Sequence, residues 1–145
     1  MPINFFNSEE KAAINDSIHK AEKQTSGEIR LHVENQCAYD VLDRAADVFA
    51  QLGMHKTELK NGVLFYLSIK DRKFAILGDA GINTKVPAGF WDSVKELVLE
   101  HFKTGAYAKG LCAGIEKAGS KLSEHFPYSN NDINELSNEI SFNKN

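Results

Sequence analysis

The run from Val63 to Ile69, Val-Leu-Phe-Tyr-Leu-Ser-Ile, restricts the folds open to this chain more than any other stretch. It is apolar at nearly every position, contains β-branched and aromatic residues, and lies between two turn-forming segments, Asn61-Gly62 and Lys70-Asp71-Arg72. Such a run reads as a strand buried on both faces. Phe74 to Leu77 forms a second, shorter apolar run. The polar break between the two is too short for anything except antiparallel neighbours, so the pair reads as a hairpin. A strand covered on both sides needs helices above and below it, which makes the chain α/β with a small mixed sheet.

The flanking segments supply those layers. Ser8 is placed to cap a helix whose first turn carries Glu9 and Glu10, with Ile14, Ile18 and Ala21 on one face. Glu28 to Glu34 alternates, with Ile29, Leu31 and Val33 pointing one way and Arg30, His32 and Glu34 the other. That pattern predicts an outer strand with one less covered face. A helix from Asp40 to Gly53 carries Val41, Leu42, Ala45, Val48, Phe49 and Leu52 inward. Strand, helix and strand form a βαβ unit, so the first strand is expected to run parallel to Val63–Ile69.

Gly78 to Gly89 reads as a turn-rich loop. Two more helices follow. One has Phe90, Val94, Leu97, Val98 and Phe102 inward, with Trp91 helping Phe90 to anchor it. The other starts near Tyr107 with Leu111, Ile115, Ala118 and Leu122 inward and closes at Pro127. Gly110, Gly114 and Gly119 lower its helix propensity and mark close backbone packing. The expected domain is residues 1–127. Residues 128–145 are Asn-rich and read as a mobile or partly docked tail, in which Ile133, Leu136 and Ile140 are spaced for one short helix at most.

Composition narrows the function classes. The chain has 145 residues and a net charge of -3, which gives no basis for nucleic-acid binding, and no basic stripe is visible. The cysteines, Cys37 and Cys112, lack metal-ligand spacing and fit free thiols in a reducing compartment. The first residues have no signal-peptide pattern, and no apolar run approaches the ~20 residues that cross a bilayer. The expectation is a cytoplasmic monomer that does not insert into membranes. His19, His32, His55, His101 and His125 are scattered, with no HExxH, and Gly78-Asp-Ala-Gly81 is neither a Walker loop nor GxGxxG. No nucleophile elbow is present, and no catalytic residue can be named.

The topology gathers polar residues at two edges of the sheet. One holds Glu34, Asn35, Asp40, Asp43 and Asp71; the other holds Gly27, Glu28, Asn61, Gly62, Gly78, Asp79 and Gly81. Carboxylates and an amide on Gly-rich turns suit a hard cation such as Ca²⁺ or Mg²⁺. Each residue also has a plainer reading: Asp79 as a turn former, Asn61-Gly62 as a tight turn, Asp40 as a helix N-cap, and Asp43 with Asp47 as a solvated helix face.

Ser26-Gly-Glu-Ile-Arg-Leu, Lys60-Asn-Gly-Val-Leu-Phe-Tyr, Asp71-Arg-Lys-Phe-Ala-Ile, Gly78-Asp-Ala-Gly-Ile and Phe102-Lys-Thr-Gly-Ala-Tyr-Ala-Lys-Gly-Leu, taken in order, resemble the TPM-domain family. That family is named for a thylakoid-lumen protein, a photosystem II repair protein and an acetylcholine-receptor modulator. The resemblance covers about residues 8–127, and the tail is similar to that of small stand-alone bacterial members. It implies a three-layer α/β/α sandwich of modified Rossmann-like fold, calcium binding in some members, and a weak acid phosphatase activity in plant ones. Many members carry Gly-Tyr-Gly-Leu-Glu where this chain has Gly78-Asp-Ala-Gly-Ile, and a signal peptide and membrane helix besides. Three functions are therefore expected, in this order: a divalent-cation module with Glu28, Asn61 and Asp79 as metal ligands, a metal-dependent phosphatase acting on small phosphomonoesters, and, close behind the first, a protein-interaction module using the tail.

Overall fold

The computed structural model describes residues 5–128 and 140–142. The chain forms α1 (Ser8–Glu22), β1 (Glu28–Glu34), α2 (Val41–Gln51), a 3₁₀ turn (Met54–Lys56), β2 (Gly62–Ser68), β3 (Lys73–Gly78), α3 (Ala80–Asn83), α4 (Phe90–Phe102), α5 (Tyr107–His125) and β4 (Ser141–Phe142). The strands lie in the order β3-β2-β1-β4. β1 runs parallel to β2 and to β4, and β2 and β3 form the expected antiparallel hairpin. The architecture is the anticipated α/β sandwich.

Alternation along the strands builds two cores. Ile29, Leu31, Val33, Val63, Phe65, Leu67, Phe74 and Ile76 join Ile14 and Ile18 of α1, Val94 and Val98 of α4, and Leu111, Ile115 and Leu122 of α5. On the opposite face, Leu64, Tyr66 and Ala75 pack with Ala45, Val48 and Phe49 of α2 and with Met54. Every residue of β2 is buried, as its unbroken apolar run requires. The glycines of α5 sit where its neighbours press closest: a Cβ on Gly114 would come within 2.5 Å of Val98 Cγ2, and one on Gly119 within 2.6 Å of Ala21 Cβ.

Several expectations change. Asn7, not Ser8, caps α1, in a capping box with Glu10. Leu42 is exposed, because the inward face of α2 centres on Ala45, Val48 and Phe49. The segment after β3 contains α3, a single turn too short for helical periodicity to register. β1 is not the outer strand: β4 lies beyond it, and its polar residues His32 and Glu34 are buried. Ile140 lies half-buried just before β4, which adds a short strand beside β1; the helix expected around Ile133 and Leu136 falls outside the described residues.

Candidate functional site

Two rims of the sheet collect polar side chains, and they differ in how those side chains are satisfied. At the rim where β1 and β2 end, Glu34 is fully buried. Arg44 of α2 donates from Nε to Glu34 Oε2 and from Nη2 to Oε1, both at 2.8 Å. Tyr66 donates its hydroxyl to Oε2, and His32 Nε2 lies 3.2 Å from Oε1. A carboxylate offers about four lone-pair positions, so this one is filled by protein donors. Burial pushes its pKa up, but the bonds from Arg44, Tyr66 and His32 outweigh that and hold it at about 2. Burial, and then the bond to Glu34, raise the Tyr66 hydroxyl, and burial lowers His32 despite Glu34. His32 Nδ1 pairs with Ser141 Oγ at 2.7 Å, which ties β4 to the same network.

Two further carboxylates of this rim, those of Asp40 and Asp71, are occupied as well. Asp40 caps α2, accepting from Leu42 N and Asp43 N at 3.1 and 3.2 Å. Asp71 accepts from the Ser68 hydroxyl and from Cys37 N, fastening the hairpin tip to the loop after β1. Asp43 and Asp47 are exposed on α2.

The opposite rim is built by register. Glu28 pairs with Gly62, and one step past the Val63–Gly78 pair, Asp79 N donates to Gly62 O at 2.9 Å. Glu28, Gly62 and Asp79 thus form one transverse row, with the glycine between the two carboxylates. Strand spacing puts the outer two backbones about 10 Å apart. Asn61 joins the row through its carbonyl, which accepts from Glu28 N at 3.4 Å. The space over Gly62 is taken by Met54 and Phe49; a Cβ there would lie 3.5 Å from Met54 Cε and Met54 O. Gly81 admits no side chain at all, since a Cβ would fall 2.1 Å from Leu59 O, so α3 is pressed onto the loop before β2.

Unlike Glu34, the side chains of Asp79 and Asn61 are incompletely partnered among the described residues. Asp79 Oδ1 caps Ala80 N at 2.7 Å, but Oδ2 is buried and has no hydrogen-bond partner among the described residues. The same holds for Asn61 Nδ2, for Thr57 Oγ1 in the same loop, and for Glu22 Oε1. Glu22 closes the free edge of β1 by accepting from Ile29 N at 2.9 Å; burial raises its pKa although Ile29 and Glu28 hydrogen-bond it. Among the described residues no three His, Cys, Asp or Glu side chains are grouped to hold a metal. A cation here would therefore draw on amide, hydroxyl and backbone oxygens as well as carboxylates. Asn61 and Asp79 are where the register predicts them. Thr57 and Glu22 were not anticipated, because a lone threonine in a polar loop and a glutamate at a helix end give no signal.

The TPM domain model matches residues 2–121, most of the chain. The chain belongs to the TPM-domain family. Among solved structures, this TPM domain is similar to the BA42 protein of the psychrophilic bacterium Bizionia argentinensis, determined by NMR, at 48% identity and a TM-score of 0.90 over 97% of each chain. It shares its fold with the N-terminal domain of a Porphyromonas protein, from P. gingivalis, at 19% identity and a TM-score of 0.67 over 85% of this chain and 80% of that one. The N-terminal domain of cg2496 from Corynebacterium glutamicum gives 15% identity and a TM-score of 0.66 over 86% and 79%. No curated protein matches the chain. Among the described residues no helix is long and apolar enough to cross a membrane.

Proposed function

We propose that this TPM domain binds a divalent cation, calcium or magnesium, at the rim where β1 and β2 begin, held by Asn61 and Asp79, with Glu28 joining from across Gly62 as the Met54 and Phe49 side chains move aside. The observation that carries the reading is the pair of buried, unpartnered groups on adjacent strand ends, Asp79 Oδ2 and the Asn61 amide. Leaving such a group unpaired costs roughly 1–3 kcal/mol, which a ligand can recover. Rotating the Asn61 amide by half a turn exchanges its unpartnered nitrogen for an oxygen, the atom a hard cation takes. The rim where the strands end offers no such opening, because Glu34, Asp40 and Asp71 are occupied by donors of the protein.

With only two carboxylates, the affinity expected is weak, with Kd on the order of 10⁻⁴ to 10⁻³ M. A calcium titration followed by ¹H–¹⁵N NMR tests the placement: the amides of Glu28, Asn61 and Asp79 should move. If they stay still while Glu34, Asp40 and Asp71 shift, the ion sits at the other rim. If nothing moves, the unpartnered groups are satisfied by water alone. Asp79→Ser separates capping from ligation, since serine keeps the N-cap but supplies no carboxylate; the variant should fold and lose the calcium response.

A further inference from the structure

A pocket of about 370 Å³ opens beside the end of β2, on the face covered by α4 and α5 and away from the rim proposed for the cation. That volume lies within the range of small-molecule sites. Its wall is aromatic: Phe74 meets Phe102 edge-on at 5.5 Å between centroids, Phe102 lies 4.8 Å from Tyr107, and Tyr107 meets Phe5 at 5.3 Å. Two cations, Arg72 and Lys103, stand among its lining residues, and both are exposed. Among the described residues no carboxylate lines it. Of the nearest acids along the chain, Asp71 is engaged with Ser68 and Cys37 N, and Glu100 pairs with the pocket's own Lys103 at 3.1 Å. The second pairing joins two highly exposed side chains and is weak enough to exchange for another anion.

Arg72 carries a further mark. Its φ is +52°, the left-handed region, and its N–H closes the hairpin turn onto Ile69 O. That turn position ordinarily takes glycine, or else asparagine. A long cationic side chain kept in a strained backbone conformation, at the mouth of an apolar pocket, is the kind of outlier that marks a binding site.

We infer that this pocket binds a small amphipathic carboxylate, its apolar body against Phe74, Phe102 and Tyr107 and its anionic head held by Arg72 and Lys103. A neutral molecule of the same body would gain the apolar contact without the charge-assisted bonds, so the site should prefer the anion.

The experiment uses the full chain and two probes of equal length, octanoate and 1-octanol, titrated separately and read by ¹H–¹⁵N NMR. Octanoate should move the amides of Ile69, Phe74, Leu99 and Phe102 and bind more tightly than 1-octanol. Arg72→Gly removes the cation and relieves the backbone, so the fold is kept; it should weaken octanoate roughly ten-fold, the loss of about one charge-assisted bond, and leave 1-octanol unchanged. Lys103→Gln should act in the same direction. The inference is overturned if octanoate leaves those amides unmoved, if Arg72→Gly binds it as well as the parent chain does, or if both probes weaken equally. Calcium plays no part in the assay, so its outcome stands apart from that of the cation site.

Discussion

The two rims of the sheet hold similar residues and treat them in opposite ways. Where β1 and β2 end, Glu34 is wrapped by Arg44, Tyr66 and His32 until it has no free lone pair. Where they begin, Asp79 and Asn61 keep buried polar atoms with no hydrogen-bond partner. The first arrangement fixes α2 and β4 to the sheet; the second leaves polar atoms without partners among the described residues. Acidic content alone does not tell these two arrangements apart; the partners of each oxygen do.

The most disruptive way to break that contrast is Arg44→Ala. It leaves the Glu34 carboxylate buried and short of its strongest donor, and should cost about 3–5 kcal/mol in urea unfolding. Asp79→Ser, its counterpart at the other rim, should cost far less.

Acid titration sharpens the comparison next. Glu34 has a folded pKa of about 2 against a reference of 4.5, so its contribution is complete above 4.5 and is lost as pH falls toward 2. That loss should amount to about 3 kcal/mol. Glu22 has the opposite sign: its folded pKa is raised, so charging it costs stability as pH climbs from 4.5 through the raised value. Unfolding midpoints measured across that range should fall steeply on the acid side, and Glu22→Gln should flatten the rise-related loss without touching the acid limb. An unchanged acid limb in Glu34→Gln would refute the assignment of that limb to Glu34.

The smallest of these effects is Gly81→Ala. The new methyl would meet Leu59 O and Lys60 O, and relieving that overlap should cost roughly 2 kcal/mol. Because the displaced loop carries Asn61, the same variant should alter any calcium response while leaving the amides of Glu34 and Arg44 in place.

Much of this was legible in the residues. The uninterrupted Val63–Ile69 run predicted a doubly covered strand, and the short break after it predicted the hairpin; both follow from local patterns. The burial of Glu34 was not legible. Alternation in Glu28–Glu34 reports only that one side is polar, and a polar side sealed by Arg44 from α2 looks the same in sequence as one facing water. The hydroxyl of Tyr66, set inside an apolar run, was the available hint that a polar partner lay opposite. β4 escaped because two residues in an Asn-rich segment carry no periodicity, and its pairing is wholly long-range. The register that lines up Glu28, Gly62 and Asp79 was within reach of topology, but which oxygens stay unpartnered depends on side-chain packing that no spacing encodes.

β4 has one more consequence. Ser141 meets His32 across 109 positions of chain. During synthesis on the ribosome, β1 emerges early and its outer edge must wait for Ser141 and Phe142 before it is sealed. A nascent chain halted short of Ser141 carries an open strand edge, the feature through which partly made proteins join one another. Arrival of Ser141 and Phe142, rather than formation of the hairpin, is the step that ends this exposure.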